Sequence, residues 1–320
     1  MEQHERLQVC QKSVVAEGVV ALDLVHPEGR ALPSWEPGAH LDLCLPAGLV
    51  RQFSLCGDPT ERDRWRIAVL KEPDGRGGSR YVHEGLRPGA TVEFAGPRNN
   101  FPLVAAEHHL FIAGGIGITP ILPMIEAVAR GGGDWHLLYG GRRRRSMAFV
   151  DELARYGSNV TIWPEDESGL LDLGAAMHTV PRQAAVYCCG PEGLLGAVVQ
   201  ACAAHERPAP YFERFQAAPD EGTKRDVAGT EEVGFNVVLH RQGLTVGVLP
   251  GVSILESIEQ AGHQPICSCR EGYCGCCETD VLNGIPDHRD EYLREDDRQS
   301  GKKIMICVSR SRSPTLVLDL

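Results

Sequence analysis

The chain has 320 residues, 42% hydrophobic and 23% charged, a balance that fits a globular protein of two or three domains with a sizeable core. A formal net charge of −11 argues against nucleic acid as a partner, and the basic run Arg142–Arg145 is too short to reverse it. No apolar stretch is long enough to span a membrane, and the polar start Met1-Glu-Gln-His-Glu-Arg6 lacks the apolar region of a signal peptide, so a cytoplasmic location is expected.

From Leu7 to about Phe101 the chain reads as short strands: Val14–Leu24, His40–Leu45, Gln52–Leu55 and Trp65–Leu70. Punctuation such as Glu36-Pro-Gly and Arg87-Pro-Gly-Ala separates them, and regularly spaced short strands predict an antiparallel β-barrel over residues 1–104. Two stretches within it suggest chemistry. Gly75-Arg-Gly77-Gly78-Ser79 precedes a helix expected from about Arg80, and free N–H groups at such a turn favour phosphate. Arg51 supplies a fixed positive charge, and Ser54 a hydroxyl that can reach a ring nitrogen. A hairpin turn beside an ordinary strand arginine explains the same residues.

From about Glu107 strands and helices alternate, which predicts an α/β domain with a parallel sheet over residues 105–216. Strands are expected at His109–Ala113, Trp135–Tyr139, Asn159–Trp163 and Ala184–Cys189, and helices at Ile121–Arg130, Met147–Tyr156 and Leu194–His205. Gly114-Gly115-Ile-Gly117-Ile-Thr119-Pro120 follows the first strand, where such sheets bind ligands. Pro120 stands where the dinucleotide fingerprint has its third glycine, and proline in a first helical turn is also purely structural, so this turn alone is weak evidence. Cys189-Gly190-Pro191 is a second strand-to-helix crevice segment, and Cys188 reads as core.

Residues 217–232 have no apolar periodicity and read as a linker. An α+β domain is expected over 233–320, with a strand–turn–strand from Phe235 and a helix Ser253–Ala261 that opens on a Ser253/Glu256 capping box. Strands through Thr279–Leu282, Cys307 and Thr315–Leu320 complete it. Twelve cysteines in a reducing compartment read as ligands and buried thiols rather than disulfides. Cys269, Cys274 and Cys277 follow C-x4-C-x2-C with Cys307 far downstream, the plant-type [2Fe–2S] pattern. Gly272 and Gly275 give the loop its tight turns, and Cys267 and Cys276 fall out of register. A four-cysteine zinc site is the competing reading.

Arg51-Gln-Phe53-Ser54 with the Gly77-Gly78-Ser79 turn resembles the flavin-binding barrel of the ferredoxin–NADP reductase superfamily. Phe53 stands where tyrosine is usual, which removes a hydroxyl but leaves a ring to pack. Ala113–Pro120 and Cys189-Gly190-Pro191 resemble the same superfamily's pyridine-nucleotide motifs. The resemblance implies that Gly114, Gly115, Gly117, Gly190 and Pro191 line the nucleotide site, with Thr119 and Cys189 flanking nicotinamide and Arg142 in a segment near the adenosine ribose. Tyr211-Phe-Glu213-Arg-Phe215 resembles the closing segment, which implies that Phe215 covers the flavin ring and Glu213 lies near the nicotinamide path.

Taken whole, the chain resembles the phthalate dioxygenase reductase family, also in Asp287-His-Arg-Asp290, Ile304–Arg310 and Leu316–Leu320. The resemblance implies FMN, a [2Fe–2S] cluster and NADH in preference to NADPH, with electrons delivered to a separate Rieske-type oxygenase; a monomer is expected. Hydride transfer needs no general acid or base, so none is assigned. The resemblance implies that Ser54, Thr119, Cys189, Glu213 and Phe215 form the hydride-transfer environment. A reductase serving a cytochrome P450 or a demethylase is the alternative within enzymes, and an NADH-responsive redox sensor is the alternative outside them.

Overall fold

The opening apolar stretch divides into β1 (Glu5–Ala16) and β2 (Val19–Val25). One strand through Val14–Leu24 was the expectation; Gly18, at φ 75°, instead reverses the chain between Ala16 and Val19. With β3 (Ala39–Leu45), β4 (Leu49–Ser54), β5 (Trp65–Leu70) and β6 (Thr91–Asn99), these form a six-stranded antiparallel sheet ordered β4-β3-β6-β1-β2-β5. A bridge between Leu55 and Ile67 brings the outer strands together, as a barrel requires. Leu7, Leu22, Leu41, Leu43 and Ile67 fill it, and Trp65 meets Phe94 edge-on with centroids 5.5 Å apart. Helix α1 (Gly78–Glu84) begins two residues earlier than expected. Lys12 Nζ donates to the carbonyls of Val82, His83 and Leu86, satisfying acceptors that the end of α1 leaves open.

Strands β7 (His108–Gly114), β8 (Asp134–Gly141), β9 (Val160–Pro164), β10 (Ala185–Cys189) and β11 (Tyr211–Glu213) form a wholly parallel sheet ordered β11-β10-β7-β8-β9. Its helices are α2 (Ile118–Arg130), α3 (Val150–Leu153), α4 (Glu165–Ser168), α5 (Leu173–Met177) and α6 (Glu192–Ala204). Alternate residues of β7 serve opposite faces: Phe111 and Ala113 share a core with Ile121, Met124 and Ile125 of α2, whereas Leu110 and Ile112 share one with Leu195 and Val198 of α6. The helix expected over Met147–Tyr156 shrinks to α3 and a 3-10 stretch; Phe149 (φ 64°) leaves helical geometry and delays its start to Val150.

In the C-terminal unit, β12 (Phe235–Leu239), β13 (Leu244–Val248), α7 (Ile254–Gln260), β14 (Glu278–Asn283), β15 (Pro286–Asp287), α8 (Glu295–Ser300), β16 (Lys303–Met305), β17 (Arg310–Ser311) and β18 (Thr315–Leu318) follow in order. The main sheet runs β13-β12-β18-β14-β16, with β12 and β18 parallel. Both halves of the Ser253/Glu256 capping box form, a device worth about 1 kcal/mol. The strand expected through Cys307 stops at Met305, and Cys307 follows in a turn held by Ser309 N–H donating to Met305 O. That turn frees Cys307 from strand alternation, so its sulfur can face the cysteine loop.

The structure, a computed structural model, describes residues 5–73, 75–215 and 232–320, so all but the last residue of the expected linker lies outside the described residues. Two compact units divide the chain, Met1–Phe215 and Gln216–Leu320. Barrel and parallel sheet share the first, where Tyr187 OH donates to Pro102 O and accepts from Val104 N–H. Among the described residues no helix is long and apolar enough to cross a membrane.

Candidate functional site

Arg51 leaves β4 and lies across the first turn of α1. A Cβ on Gly78 would fall 2.6 Å from Arg51 Cγ and 2.8 Å from its Nε, so only glycine admits this approach. Gly77, at φ 90°, makes the turn into the helix. The guanidinium donates to Val50 O at 2.7 Å, which fixes it beside the open N–H groups of α1. A phosphate fits this chemistry: one bidentate cation, a glycine-only approach and free backbone donors. Ser79 Oγ accepts from Glu72 N–H at 3.0 Å and closes the turn, while its O–H can still donate to an anion. Phe53 packs against the barrel core.

The two crevice segments of the parallel sheet interlock backbone to backbone. A Cβ on Gly117 would stand 2.2 Å from Cys189 O, and one on Gly114 would stand 2.8 Å from Pro191 Cδ. Gly190 in turn passes 3.0 Å from Gly114, measured from the position its own Cβ would take. Gly115, at φ 55°, turns the chain here, and Tyr139 OH donates to its carbonyl at 3.1 Å. Bare backbone at the carboxyl end of a parallel sheet suits a dinucleotide. Thr119 is buried and its hydroxyl donates to Ile116 O, so that group is used within the turn. Cys189 is also buried, and burial pushes its thiol well up, so it is a neutral wall rather than a nucleophile. Of the basic run, Arg145 pairs with Glu17 at 2.6 Å and Arg144 with Glu167 at 3.5 Å, while Arg142 and Arg143 are exposed.

Strand β11 brings Glu213 beside Cys189 in register. Its carboxylate lies 3.5 Å from Ser54 Oγ, at the end of the barrel strand that carries Arg51, so barrel and crevice residues meet here. Burial pushes Glu213 up to about 8, opposed by the Ser54 hydrogen bond. His40 was not foreseen: its Nδ1 lies 3.9 Å from Glu213 Oε1. Burial, reinforced by the Arg98 charge, holds His40 down to about 4. A polar His40 and Asp42 on the otherwise apolar β3 was the available signal. Arg214 holds the segment in place through a two-point contact with Glu192, at 2.9 and 3.2 Å. Phe215 packs against the larger core of the first unit.

In the C-terminal unit, Cys269, Cys274, Cys277 and Cys307 are all buried. Hydrogen bonds from Cys274 and Cys307 hold the Cys269 thiol below its ordinary range, and those from Cys277 and Cys307 do the same for Cys267. The Cys307 thiol is pushed up by its sulfur neighbours Cys267, Cys269 and Cys277. Glu271 N–H donates to Cys269 Sγ at 3.3 Å and Cys276 N–H to Cys274 Sγ at 3.5 Å, the backbone donors an anionic cluster calls for. Gly272 (φ 77°) and Gly275 (φ 73°) permit the loop, and a Cβ on Gly275 would collide with the Tyr292 ring at 2.2 Å. Buried thiols with backbone donors fit a [2Fe–2S] cluster. Cys267, set aside from spacing, nevertheless belongs to the thiol group: its Sγ and those of Cys277 and Cys307 all lie within 4.8 Å of one another.

Residues 237–312 match the 2Fe-2S iron-sulfur cluster binding domain family, and residues 111–200 match the oxidoreductase NAD-binding domain family. The chain is 42% identical to phenoxybenzoate dioxygenase subunit beta of Ectopseudomonas oleovorans, across 95% of this chain and 94% of that protein. The crystal structure of phthalate dioxygenase reductase, described as modular for electron transfer from pyridine nucleotides to [2Fe-2S], matches with TM-score 0.72 and 36% identity, covering 100% of this chain and 98% of that one. An intact type IV self-sufficient cytochrome P450 monooxygenase matches with TM-score 0.84 and 39% identity over 99% of this chain, which spans 41% of that longer one.

Proposed function

The chain belongs to the phthalate dioxygenase reductase family, and from that premise we propose that it is the NADH-dependent reductase component of a multicomponent oxygenase. Electrons pass from NADH to FMN, then to a [2Fe–2S] cluster, then to a separate Rieske-type oxygenase. Flavin, when bound, would accept a hydride and release electrons singly, and a bound cluster would carry one electron. The chain's residues bind, orient and exclude water. Arg51 and the Gly77–Ser79 turn hold the flavin phosphate, and Ser54 donates toward the ring. Gly114, Gly115 and Gly117 with Gly190 and Pro191 bring bare backbone to the nucleotide, while Thr119 and Cys189 wall the nicotinamide side. Phe215 covers the ring until the nucleotide arrives. Glu213, protonated up to about pH 8, adds no charge to the hydride path at neutral pH. Cys269, Cys274, Cys277 and Cys307 hold the cluster.

One observation carries this reading: the 3.5 Å contact between Ser54, on the barrel strand, and Glu213, beside the crevice cysteine. It supports a flavin seat and a nucleotide crevice that adjoin. Arg142 is exposed and is assigned to the ribose side by the family resemblance alone, yet Asp166 and Glu167 lie beside the same arginine run, which disfavours an added 2′-phosphate and supports NADH. The 39% identity to a self-sufficient P450 chain favours a second reading, in which the acceptor is a P450.

The test is an anaerobic visible spectrum before and after stoichiometric NADH, with flavin and metal quantified on the same sample. Flavin and cluster bands that both bleach support the route. A colourless, zinc-containing chain with no flavin would sink it. The acceptors are then separated by supplying a purified Rieske oxygenase or a P450 and following NADH oxidation.

A further inference from the structure

Six thiols, Cys267, Cys269, Cys274, Cys276, Cys277 and Cys307, gather where a [2Fe–2S] cluster needs four. Cys267 is one of the two to spare, and it is not placed at random around the others. Its sulfur groups with Cys277 and Cys307, all within 4.8 Å of one another, and it is only half-buried. Two thiolates on one tetrahedral metal, with bonds of about 2.3 Å, sit roughly 3.8 Å apart. Three sulfurs this close can therefore serve one iron after shifts well under the length of a side chain. Cys276, the other surplus thiol, is not in that group, and its backbone N–H points instead to Cys274.

The chain on either side permits the movement. Cys267 lies in an irregular stretch between α7 and the cysteine loop, where no strand pairing fixes its backbone. Cys307 sits on a turn rather than in β16. Neither thiol is locked by sheet register.

We propose that Cys277 and Cys307, whose sulfurs lie within 4.8 Å of each other, share one iron, and that Cys267 is a reserve ligand for it, taking the place of either when it is displaced or absent. The inference rests on the ligand set given above. The exchange is a substitution without redox change. The Cys267 sulfur forms a bond to iron and loses its proton to solvent, and the displaced sulfur leaves iron and takes one up.

The experiment uses the full chain, purified without air, as Cys277→Ala and as Cys277→Ala with Cys267→Ala. Iron and sulfide per chain and the electron paramagnetic resonance of the dithionite-reduced cluster are read for each. The single variant is expected to keep at least half the native iron and an all-thiolate signal, and the double variant to lose about five-fold or more of that iron. Equal iron in the two, or a cluster-free single variant that still folds by circular dichroism, overturns the proposal. If Cys277→Ala does not fold, the rate at which a chelator removes iron from Cys267→Ala decides. Release several-fold faster than native is expected, because a thiol that recaptures loosened iron is gone, and an unchanged rate overturns it. A native chain that holds no cluster would instead defeat the underlying ligand assignment, so the two failures are distinct. A cluster lost outright from Cys267→Ala would make Cys267 a primary ligand and also overturn the reserve role.

Discussion

Gly117 passes so close to Cys189 that a Cβ on it would stand 2.2 Å from the Cys189 carbonyl oxygen and 2.4 Å from its carbonyl carbon. Backbone atoms on both sides leave no flexible side chain to give way. Gly117→Ala is therefore expected to push the two crevice segments apart. The flavin seat, on the barrel, is not touched. Overpacking of this kind costs about 1–3 kcal/mol, so KM for NADH should rise roughly ten-fold or more while flavin content stays native. Steady-state kinetics beside flavin quantification checks this. A native KM would mean that the crevice does not bind the nucleotide.

Arg51 and Gly78 touch in the same manner, side chain over bare backbone. Arg51→Ala removes the cation that lies across the first turn of α1. A hydrogen bond to a charged group is worth about 1.5–3 kcal/mol, which predicts flavin binding weakened by about 10- to 150-fold. Recovery of flavin fluorescence on dilution measures it. Arg51→Lys should restore only part, since lysine keeps the charge and loses the planar fork.

Cys274 is buried in the thiol group and receives the Cys276 N–H. Cys274→Ser should lower electron delivery to the oxygenase by about a hundred-fold or more, because in the proposed ligand set the cluster loses one of its four sulfurs. Reduction of ferricyanide by NADH needs only the first unit and should stay within about two-fold of native. Parallel loss of both activities would mean that electrons do not divide between the units in this way.

Much of the fold and site was legible in local pattern. The capping box at Ser253 and the apolar strand through His109–Ala113 each depend on neighbours in sequence, and each is found as read. What escaped depends on tertiary approach. No local signal separates Cys267 from an idle thiol, because its nearness to Cys307 spans forty positions of chain and is set by the turn after β16. His40 likewise meets Glu213 only because a barrel strand and the last strand of the parallel sheet converge. The Met147–Tyr156 segment has helical composition, yet Phe149 within it adopts positive φ and delays the helix to Val150.

The Glu213 and His40 pair gives the first unit a pH dependence of defined sign. Unfolded, the two groups titrate near 4.5 and 6.5; folded, burial moves Glu213 up to about 8 and His40 down to about 4. Below pH 4.5 the carboxyl is protonated in both states and costs nothing. Above it the unfolded carboxyl ionises first, so the folded state loses stability up to about pH 8. His40 works the other way: the unfolded ring binds a proton below 6.5 that the folded ring refuses until about 4, so stability is gained as pH rises between those values. The two slopes oppose each other below pH 6.5, and above it Glu213 acts alone. Between pH 6.5 and 8 its share is on the order of 2 kcal/mol, which lowers Tm by roughly 4–8 °C in a unit of this size. Glu213→Gln should remove that decline, because a buried amide has no proton to lose. Thermal unfolding of native and variant chains at three pH values across the window decides it. Parallel curves would place the titrating group elsewhere, and would leave Glu213 ionised beside the nicotinamide path at neutral pH.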